Sequence, residues 1–253
     1  MQGSDVVYVE KTHYPAGYRS YDHYNKSAQL IYPSHGVMRI ETEAGLWVVP
    51  HLGACWLPAG QSHIVTTRSA MEMHSVYVSC QIALGRLPKK GTMLSISTLL
   101  RALILWVEER PSEDIGKRIH TSTCTALIDH LVVECKSEQR TLRLPILRDT
   151  SLAPIESALS NNVTDKTSFS TWASRLSIST RSLSRKFAAF GMGFVDYRSQ
   201  AKLFRSIELL ADGGTVTNVS HELGYPNASA FIAAFKAATG QTPGKYFSDY
   251  GDS

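Results

Sequence analysis

The sequence predicts an α+β protein, with an N-terminal β-barrel of jelly-roll type and accompanying helices, followed by an all-α C-terminal domain. Residues 1–90 contain short runs rich in β-branched and aromatic residues, separated by Gly, Pro and Ser, as in antiparallel strands. From residue 91 the apolar residues recur at a helical period, and residues 150–253 twice show a short helix, a turn and a second helix. A chain of 253 residues has room for two ordinary domains.

Composition narrows the class of protein without identifying it. The formal net charge is only +4, so any basic surface for a nucleic acid must be local. The most apolar run, 99–107, is interrupted by Arg101 and is too short to span a bilayer, and the N-terminus lacks a signal-peptide pattern. We therefore expect a soluble cytoplasmic protein without a membrane partner. Scattered cysteines without C-x-x-C spacing agree with a reducing compartment: Cys55, Cys80, Cys124 and Cys135.

The N-terminal domain, residues 1–90, is predicted to be a jelly-roll barrel of six to eight strands. Many short strands with few helices are typical of a sandwich or a small barrel. The six runs predicted as strands are 29–33, 37–42, 46–50, 54–57, 63–67 and 73–78.

Residues 91–145 are predicted to form two helices and a linker. Pro111 breaks the first helix, and Ser112 with Glu113 begins a turn or cap before the second. The helices either pack on the barrel or form the seam of a homodimer, and the sequence leaves both open. A polar segment precedes Leu144 and Pro145, which places the domain boundary near 145. The apolar stripes are Ile96, Leu99, Leu100, Leu103 and Val107, then Ile119, Leu127, Leu131 and Val132.

The C-terminal domain, residues 146–253, begins with a predicted helix at 152–161 and a first helix-turn-helix. Its helices are 169–176 and a second helix that Ser179 caps and that ends at Phe190, with a turn at Ser177. Leu183, Phe187 and Phe190 form the core face of the second helix. Three outward cations favour contact with phosphates and base edges. The outward residues are Arg181, Ser182, Ser184, Arg185 and Lys186.

A long helix, 195–211, is predicted to join this unit to a second one. Its seventeen residues span about 26 Å, a spacing suited to two recognition helices in successive major-groove faces. In the second unit Thr217 caps the first helix, Gly224 makes the turn and Gly240 ends the recognition helix. Phe231, Phe235 and Ala238 form its core face. The candidate DNA-facing residues are Asn227, Ser229, Ala230, Ala233 and Lys236.

Residues 224–247, GYPNASAFIAAFKAATGQTPGKYF, closely resemble the signature of the AraC/XylS family of bacterial transcription factors. The resemblance implies a double helix-turn-helix DNA-binding domain, in which Arg181, Ser184 and Arg185 occupy base-reading positions. The chain departs from the family at Ser177, where glycine is usual, and in a 187–194 segment one residue shorter than usual. Ten residues match the signature: Gly224, Tyr225, Ser229, Phe231, Phe235, Lys236, Gly240, Thr242, Pro243 and Tyr246.

The N-terminal domain resembles the cupin-type sensor domain of one branch of the same family. Residues 58–63, PAGQSH, match the P-x-G-x-x-H of the second cupin motif. In the register of the resemblance the metal-ligand positions hold His23, Asn25, Gln29 and His63, and neutral amides are poor metal ligands. We therefore expect no metal and no cofactor. A small-molecule effector pocket remains expected at the barrel mouth. Its candidate residues are His23, Gln29, Tyr32, Arg39, Trp47, Trp56, His63 and Tyr77.

The sequence as a whole predicts a bacterial, sequence-specific DNA-binding transcription regulator, an activator or a repressor, with a cupin-like sensor and no catalytic residues. Expected partners are double-stranded DNA, a small-molecule effector, a second copy in a homodimer and, for an activator, RNA polymerase. One alternative is a cupin metal-dependent enzyme with an accessory helical domain, which Asn25 and Gln29 disfavour. Another is a helical protein-interaction module without a role on DNA.

Overall fold

The computed structural model describes residues 7–51, 53–110, 117–136, 143–147 and 149–248. The chain divides into two compact units, which are treated separately below. The first comprises residues 1–43, 48–141 and 247–253, and the second comprises 44–47 and 142–246. The predicted α+β class, with antiparallel sheets first and helices after them, is confirmed.

Nine strands occur in the described residues. A five-stranded antiparallel sheet has the order β1-β7-β2-β5-β8, and a second sheet has the order β6-β3-β4-β9. The strands are β1 (Val7–Tyr14), β2 (Ala28–His35), β3 (Val37–Thr42), β4 (Gly45–Pro50), β5 (Gly53–Leu57), β6 (His63–Thr67), β7 (Met71–Val78), β8 (Thr92–Ser95) and β9 (Arg143–Leu144).

The sheets do not close into the predicted barrel. Closure needs a continuous ladder of hydrogen bonds around the structure. The outer edge of β6 instead meets an irregular segment through two isolated bridges, Arg19 with Thr66 and His23 with His63. All six predicted strands are present, whereas β1, β8 and β9 were missed. The alternation of buried Val7 and Val9 with exposed neighbours is the signal that would have identified β1.

Helices α1 (Cys80–Ala83), α2 (Thr98–Glu109) and α3 (Lys117–Lys136) complete the first unit. Leu100, Ile104 and Val107 of α2, with Leu127 and Leu131 of α3, join one face of the five-stranded sheet in a continuous hydrophobic core. The structure therefore places the two apolar stripes against the sheet, the first of the two alternatives. Leu99 is the exception, since half of its surface remains exposed. The predicted break at Pro111, Ser112 and Glu113 and the side chain of Ile119 lie outside the described residues.

The second unit is helical and starts at a 3-10 turn (Thr150–Leu152). Its helices are α4 (Ala153–Asn161), α5 (Phe169–Arg175), α6 (Thr180–Ala189), α7 (Phe194–Ala211), α8 (Val216–Glu222), α9 (Ala228–Thr239) and α10 (Pro243–Ser248). Both predicted helix-turn-helix units are present, as α5–α6 and α8–α9, joined by α7.

Side-chain caps define where the helices of the two units begin. The Ser179 hydroxyl accepts from Ser182 N at 3.1 Å, and the Asn227 side chain accepts from Ala230 N at 2.8 Å, as predicted. The expected cap at Thr217 is wrong. Helix α8 begins two residues earlier, where the Thr215 hydroxyl accepts from Asn218 N at 3.2 Å. Both threonines carry a suitable hydroxyl, and only the packing of α8 selects between them.

The two units use the same turn between their helices. Ser177 N donates to Ser174 O and Ile178 N to Ala173 O, both at 3.0 Å, and Gly224 and Tyr225 repeat these bonds. The turn requires a left-handed residue, which is Gly224 at φ +70° in one unit and Ser177 at φ +55° in the other. Left-handed backbone costs a non-glycine residue about 1–2 kcal/mol. Ser177 therefore carries backbone strain that Gly224 avoids.

We expect Ser177→Gly to stabilise the C-terminal domain by about 0.5–1 kcal/mol, because relief of the left-handed strain exceeds the extra entropy that glycine gives the unfolded chain. Urea unfolding followed by circular dichroism measures the change. The reciprocal Gly224→Ser is the matched control and should destabilise the domain. Equal or lower stability of the glycine variant would contradict the account of the turn.

Candidate nucleic-acid interface and N-terminal cavity

Helix α6 has one buried face and one free face. Leu183 and Phe187 are buried, and the Phe187 ring contacts the rings of Phe194 and Tyr197 edge-on, with centroids 5.6 and 5.8 Å apart. At 100° per residue, positions 181 and 185 lie about 160° from Leu183. Arg181 and Arg185 are accordingly exposed, and neither makes an ion pair within the part of the chain that the structure describes. Ser184 is exposed beside them, and Ser182 is half-buried in the cap.

Lys186 departs from the prediction of three outward cations. Its Nζ forms an ion pair with Asp149, which precedes α4. The Lys186 ammonium and hydrogen bonds from Ser151 lower the pKa of Asp149 to about 2. The physical reason is angular, because position 186 lies only about 60° from the buried Leu183 and faces the rest of its own domain. Lys186 therefore ties α6 to the domain, and the free face holds two cations.

Helix α9 is held by a row of aromatic rings. Phe231 and Phe235 are buried, and ring contacts of 5.3–5.8 Å run from Tyr225 through both phenylalanines to Tyr246. The aromatic residues of the 224–247 signature thus form core. On the opposite side Ser229, Ala233 and Lys236 are exposed, Ala230 is half-buried, and the Asn227 side chain is engaged in the cap. This face offers small side chains and one cation.

Helix α7 fixes the second helix-turn-helix unit to the first. The Arg205 guanidinium bonds Glu208 of α7 and Glu222 of α8, each at 3.3 Å, and Glu208 is almost fully buried. A buried charge left without its partner is costly. The eighteen residues of α7 span about 27 Å, and its contacts with both units make it a rigid spacer.

The first unit contains a cavity of about 300 Å³ between the five-stranded sheet and β6. Four of the eight candidate effector residues line it: His23, Gln29, His63 and Tyr77. Sequence reasoning missed the contribution of β1 and the segment after it, whose only signal was the alternation within β1. These further lining residues are Glu10, Thr12, Tyr14, Tyr18 and Ser20.

The other four candidate residues, Tyr32, Arg39, Trp47 and Trp56, do not line this cavity. Side chains alternate between the faces of a strand, so Gln29 faces the cavity while Tyr32 belongs to the core shared with α2 and α3. Trp56 lies in the same core, and its indole N–H donates to Pro88 O at 2.9 Å. Trp47 is buried and Arg39 is half-buried on the second sheet.

The inner wall of the cavity is a connected set of neutral polar groups. Asn25 Nδ2 donates to Gln29 Oε1 at 2.7 Å, and Gln29 Nε2 donates to the Ser75 hydroxyl at 3.0 Å. The amide hydrogens and oxygens of Gln29 are thus engaged within the protein, which explains how this side chain can be buried. The two amides at the expected metal-ligand positions bond to protein groups.

Two histidines face each other at the cavity wall. The rings of His23 and His63 are 4.3 Å apart, and each Nδ1 lies within hydrogen-bond distance of a backbone carbonyl, Tyr21 O at 2.9 Å and Gln61 O at 3.1 Å. Because a carbonyl only accepts, each neutral ring carries its proton on Nδ1 and leaves Nε2 as an acceptor. Burial lowers the pKa of His63, which favours its neutral form.

Among the described residues neither Lys nor Arg lines the cavity, so this part of its wall offers no fixed positive charge to an anion. Across the described segments, no three His, Cys, Asp or Glu side chains come together as a potential metal site. The arrangement is suited to a small uncharged molecule that donates hydrogen bonds to the histidine rings.

We expect protein purified without chelator to contain far less than one iron, nickel, zinc or manganese ion per chain, because two histidines without a carboxylate are an incomplete ligand set. Elemental analysis measures the content. The double variant Asn25→His, Gln29→Glu is the positive control, since it restores a four-ligand set. One tightly held ion in the unmodified chain, lost on His63→Ala, would contradict this and revive the enzyme alternative.

Comparison with known proteins agrees with this architecture. A family model described as a helix-turn-helix domain matches residues 172–249. The chain is 29% identical over 225 residues to the HTH-type transcriptional regulator NimR of Escherichia coli (strain K12), covering 88% of this chain and 81% of that protein. Similar solved structures include ToxT from Vibrio cholerae, with 12% identity and a TM-score of 0.40 over 98% of this chain and 100% of that one. A DNA-binding transcriptional dual regulator from Escherichia coli K-12 is 22% identical, with a TM-score of 0.35 over 40% of this chain and 92% of that one.

Two helix-turn-helix units on one spacer helix, each with an exposed second helix, define the C-terminal unit as a double helix-turn-helix domain of a DNA-binding protein. With the 224–247 signature and the matched regulator, the resemblance stated from the sequence is confirmed. The chain therefore resembles transcription regulators of the AraC/XylS family, through a matched helix-turn-helix domain at 172–249 and similarity to a regulator over most of its length. No helix in the described segments is both long and apolar enough to cross a lipid bilayer.

Proposed function

We propose that the chain is a sequence-specific DNA-binding transcription regulator that responds to a small molecule bound in its N-terminal cavity. The observation that carries the DNA-binding role is the exposed pair Arg181 and Arg185, which makes no ion pair with the described residues and lies on a helix whose opposite face is packed into the core. Sequence similarity to a transcriptional regulator over 88% of this chain supports the same role. The functional division follows as 1–90 for the sensor, 91–145 for the helices and linker, and 146–253 for DNA.

The first helix-turn-helix unit, α5–α6, supplies most of the base discrimination. Arg181 and Arg185 lie one helical turn apart, and an arginine can donate two hydrogen bonds to one guanine edge in the major groove. Ser184 lies between them on the exposed surface. In the second helix-turn-helix unit, α8–α9, the exposed or half-buried residues Ser229, Ala230 and Ala233 can contact a thymine methyl group or make one short hydrogen bond. That unit mainly positions the protein, with Lys236 on a phosphate.

The effector is a small neutral molecule. Its site is the 300 Å³ cavity, where the acceptor nitrogens of His23 and His63 face a wall that Gln29 and Tyr77 complete. A carboxylate or phosphate ligand would find no cation there, and Glu10 at the edge would repel it. Hydrogen-bond donors on the ligand would satisfy the two ring nitrogens.

The remaining partners follow from this role. Regulators that bind paired half-sites are two-fold symmetric, which favours a homodimer. An activator of this kind also contacts RNA polymerase. We assign the protein no catalytic activity and no cofactor, and we place its action in the cytoplasm. The enzyme alternative lacks a supporting observation, because Asn25 and Gln29 hydrogen-bond each other at the positions where ligands would be needed.

We expect Arg185→Ala to weaken binding of the full-length protein to its operator by about 1–3 kcal/mol, the cost of one bidentate base contact. The operator is first selected from a pool of random duplexes and compared with DNA upstream of the gene in a gel-shift assay. Arg185→Lys is the matched control. It retains the charge and the salt dependence but loses the bidentate contact. Unchanged affinity in both variants would remove Arg185 from the interface.

We also expect the operator to be strict in one half and permissive in the other. Changing any one base pair under α6 should weaken binding by about 1–3 kcal/mol. Changes under α9 should weaken binding much less, because the exposed residues of α9 cannot form bidentate hydrogen bonds with a base. Binding to every single-base variant of the selected operator measures both halves. Equal losses in the two halves would show that shape or water-mediated contacts specify the second.

A further inference from the structure

In the C-terminal unit, Lys166, Arg198 and Lys202 lie outside both recognition helices and make no ion pair among the residues that the structure describes. Lys166 is exposed in the connection before α5, and Arg198 and Lys202 are half-buried on α7. We name these three residues the spacer cluster. By contrast, Lys186 and Arg205 of the same unit are paired with carboxylates. Within the described residues, the charges of the spacer cluster are therefore not neutralised by ion pairs.

The spacer cluster follows α7 from one helix-turn-helix unit to the other. Arg198 and Lys202 are four residues apart and share a face of the helix. The Arg198 guanidinium lies 5.5 Å from the centre of the Phe194 ring, which also contacts Phe187 of the first unit. The Lys202 ammonium lies 5.5 Å from the centre of the Tyr225 ring, which belongs to the turn between α8 and α9.

Lys166 belongs to the same region, because its connection packs on the turn of the second unit. A side chain at Gly224 would meet Thr164 Cγ2 at 3.8 Å. Burial lowers the pKa of Lys202, and the charges of Arg198 and Lys166 lower it further. One carboxylate, Asp165, lies close enough for Arg198 to lower its pKa, although hydrogen bonds from Thr167 lower it more. Positive charge predominates among these four residues, and Arg198 and Lys166 repel Lys202.

We propose that Lys166, Arg198 and Lys202 bind the DNA phosphates that separate the two half-sites. This inference rests on the proposed function. Two recognition helices in successive major-groove faces require the helix between them to pass the intervening phosphate backbone. Cations along that helix meet the phosphates there and are relieved of their mutual repulsion. Such contacts fix the position of the protein on the duplex and carry no sequence information directly.

The test compares two triple variants of the full-length protein. The spacer variant removes the spacer cluster and carries Lys166→Gln, Arg198→Gln and Lys202→Gln. The control variant removes three exposed cations of the N-terminal unit and carries Lys26→Gln, Lys89→Gln and Lys90→Gln. Affinity for the selected operator and for a scrambled duplex is measured from 50 to 300 mM salt, over which the Debye length falls by a factor of about 2.4. Each lost phosphate contact should make the slope of log K against log salt shallower by about 0.9.

The expected result is a slope shallower by about 2–3 for the spacer variant, with operator and scrambled duplex weakened by the same factor, and no change for the control. Neutral methylphosphonates at the phosphates between the half-sites should weaken the unmodified protein but not the spacer variant. Circular dichroism confirms folding. If Lys202→Gln unfolds the domain, the Lys166→Gln, Arg198→Gln variant gives the same comparison with a shift of about 2.

The outcomes separate this inference from the proposed function. Operator binding by the unmodified protein, with an unchanged salt slope in the spacer variant, would overturn the spacer cluster as a phosphate site and leave the proposed function intact. A loss confined to the operator would assign these residues to base discrimination and also overturn the inference. Failure of the unmodified protein to bind any duplex would overturn both.

Discussion

The packing of aromatic rings beside one long helix is the interaction on which the C-terminal domain depends. Phe187 of α6 contacts Phe194 and Tyr197 of α7, and Phe231 and Phe235 of α9 line a cavity together with Leu203 of α7. Burying one such ring contributes about 2–3 kcal/mol. The buried faces of α6 and α9 fix the orientation of these helices. The packing of the core therefore decides where their exposed faces point.

The charges of the domain divide according to this packing. Lys186 and Arg205 lie near buried faces and are paired, so they orient helices. Arg181 and Arg185 lie opposite a buried face and make no ion pair with any described residue, so their charge is available to a partner. Surface ion pairs contribute little stability, and the value of the Lys186 pair is therefore positional. A chain with a net charge of only +4 can in this way present a strongly basic local surface.

In the N-terminal unit, strand alternation assigns the two faces of one sheet to different tasks. Leu30, Tyr32 and Val76 face the helices and form core, whereas Gln29 and Ser75, on the other face, line the cavity. Neighbouring residues of one strand thus take opposite roles. The polar groups of the cavity face can be buried because they hydrogen-bond one another, and no lysine or arginine among the described residues lines the cavity.

The sequence by itself determined most of the elements and the resemblance to a family of transcription regulators. Six strands, both helix-turn-helix units, the caps at Ser179 and Asn227 and the 224–247 signature all follow from local periodicity and side-chain chemistry. The tertiary structure decided what depends on distant contacts. It left the sheets unclosed, paired Lys186 with a residue 37 positions away, and sent Tyr32 and Trp56 to the core. Local sequence gives a residue's type and its place on a strand or helix, whereas burial and partners are set by the elements packed against it.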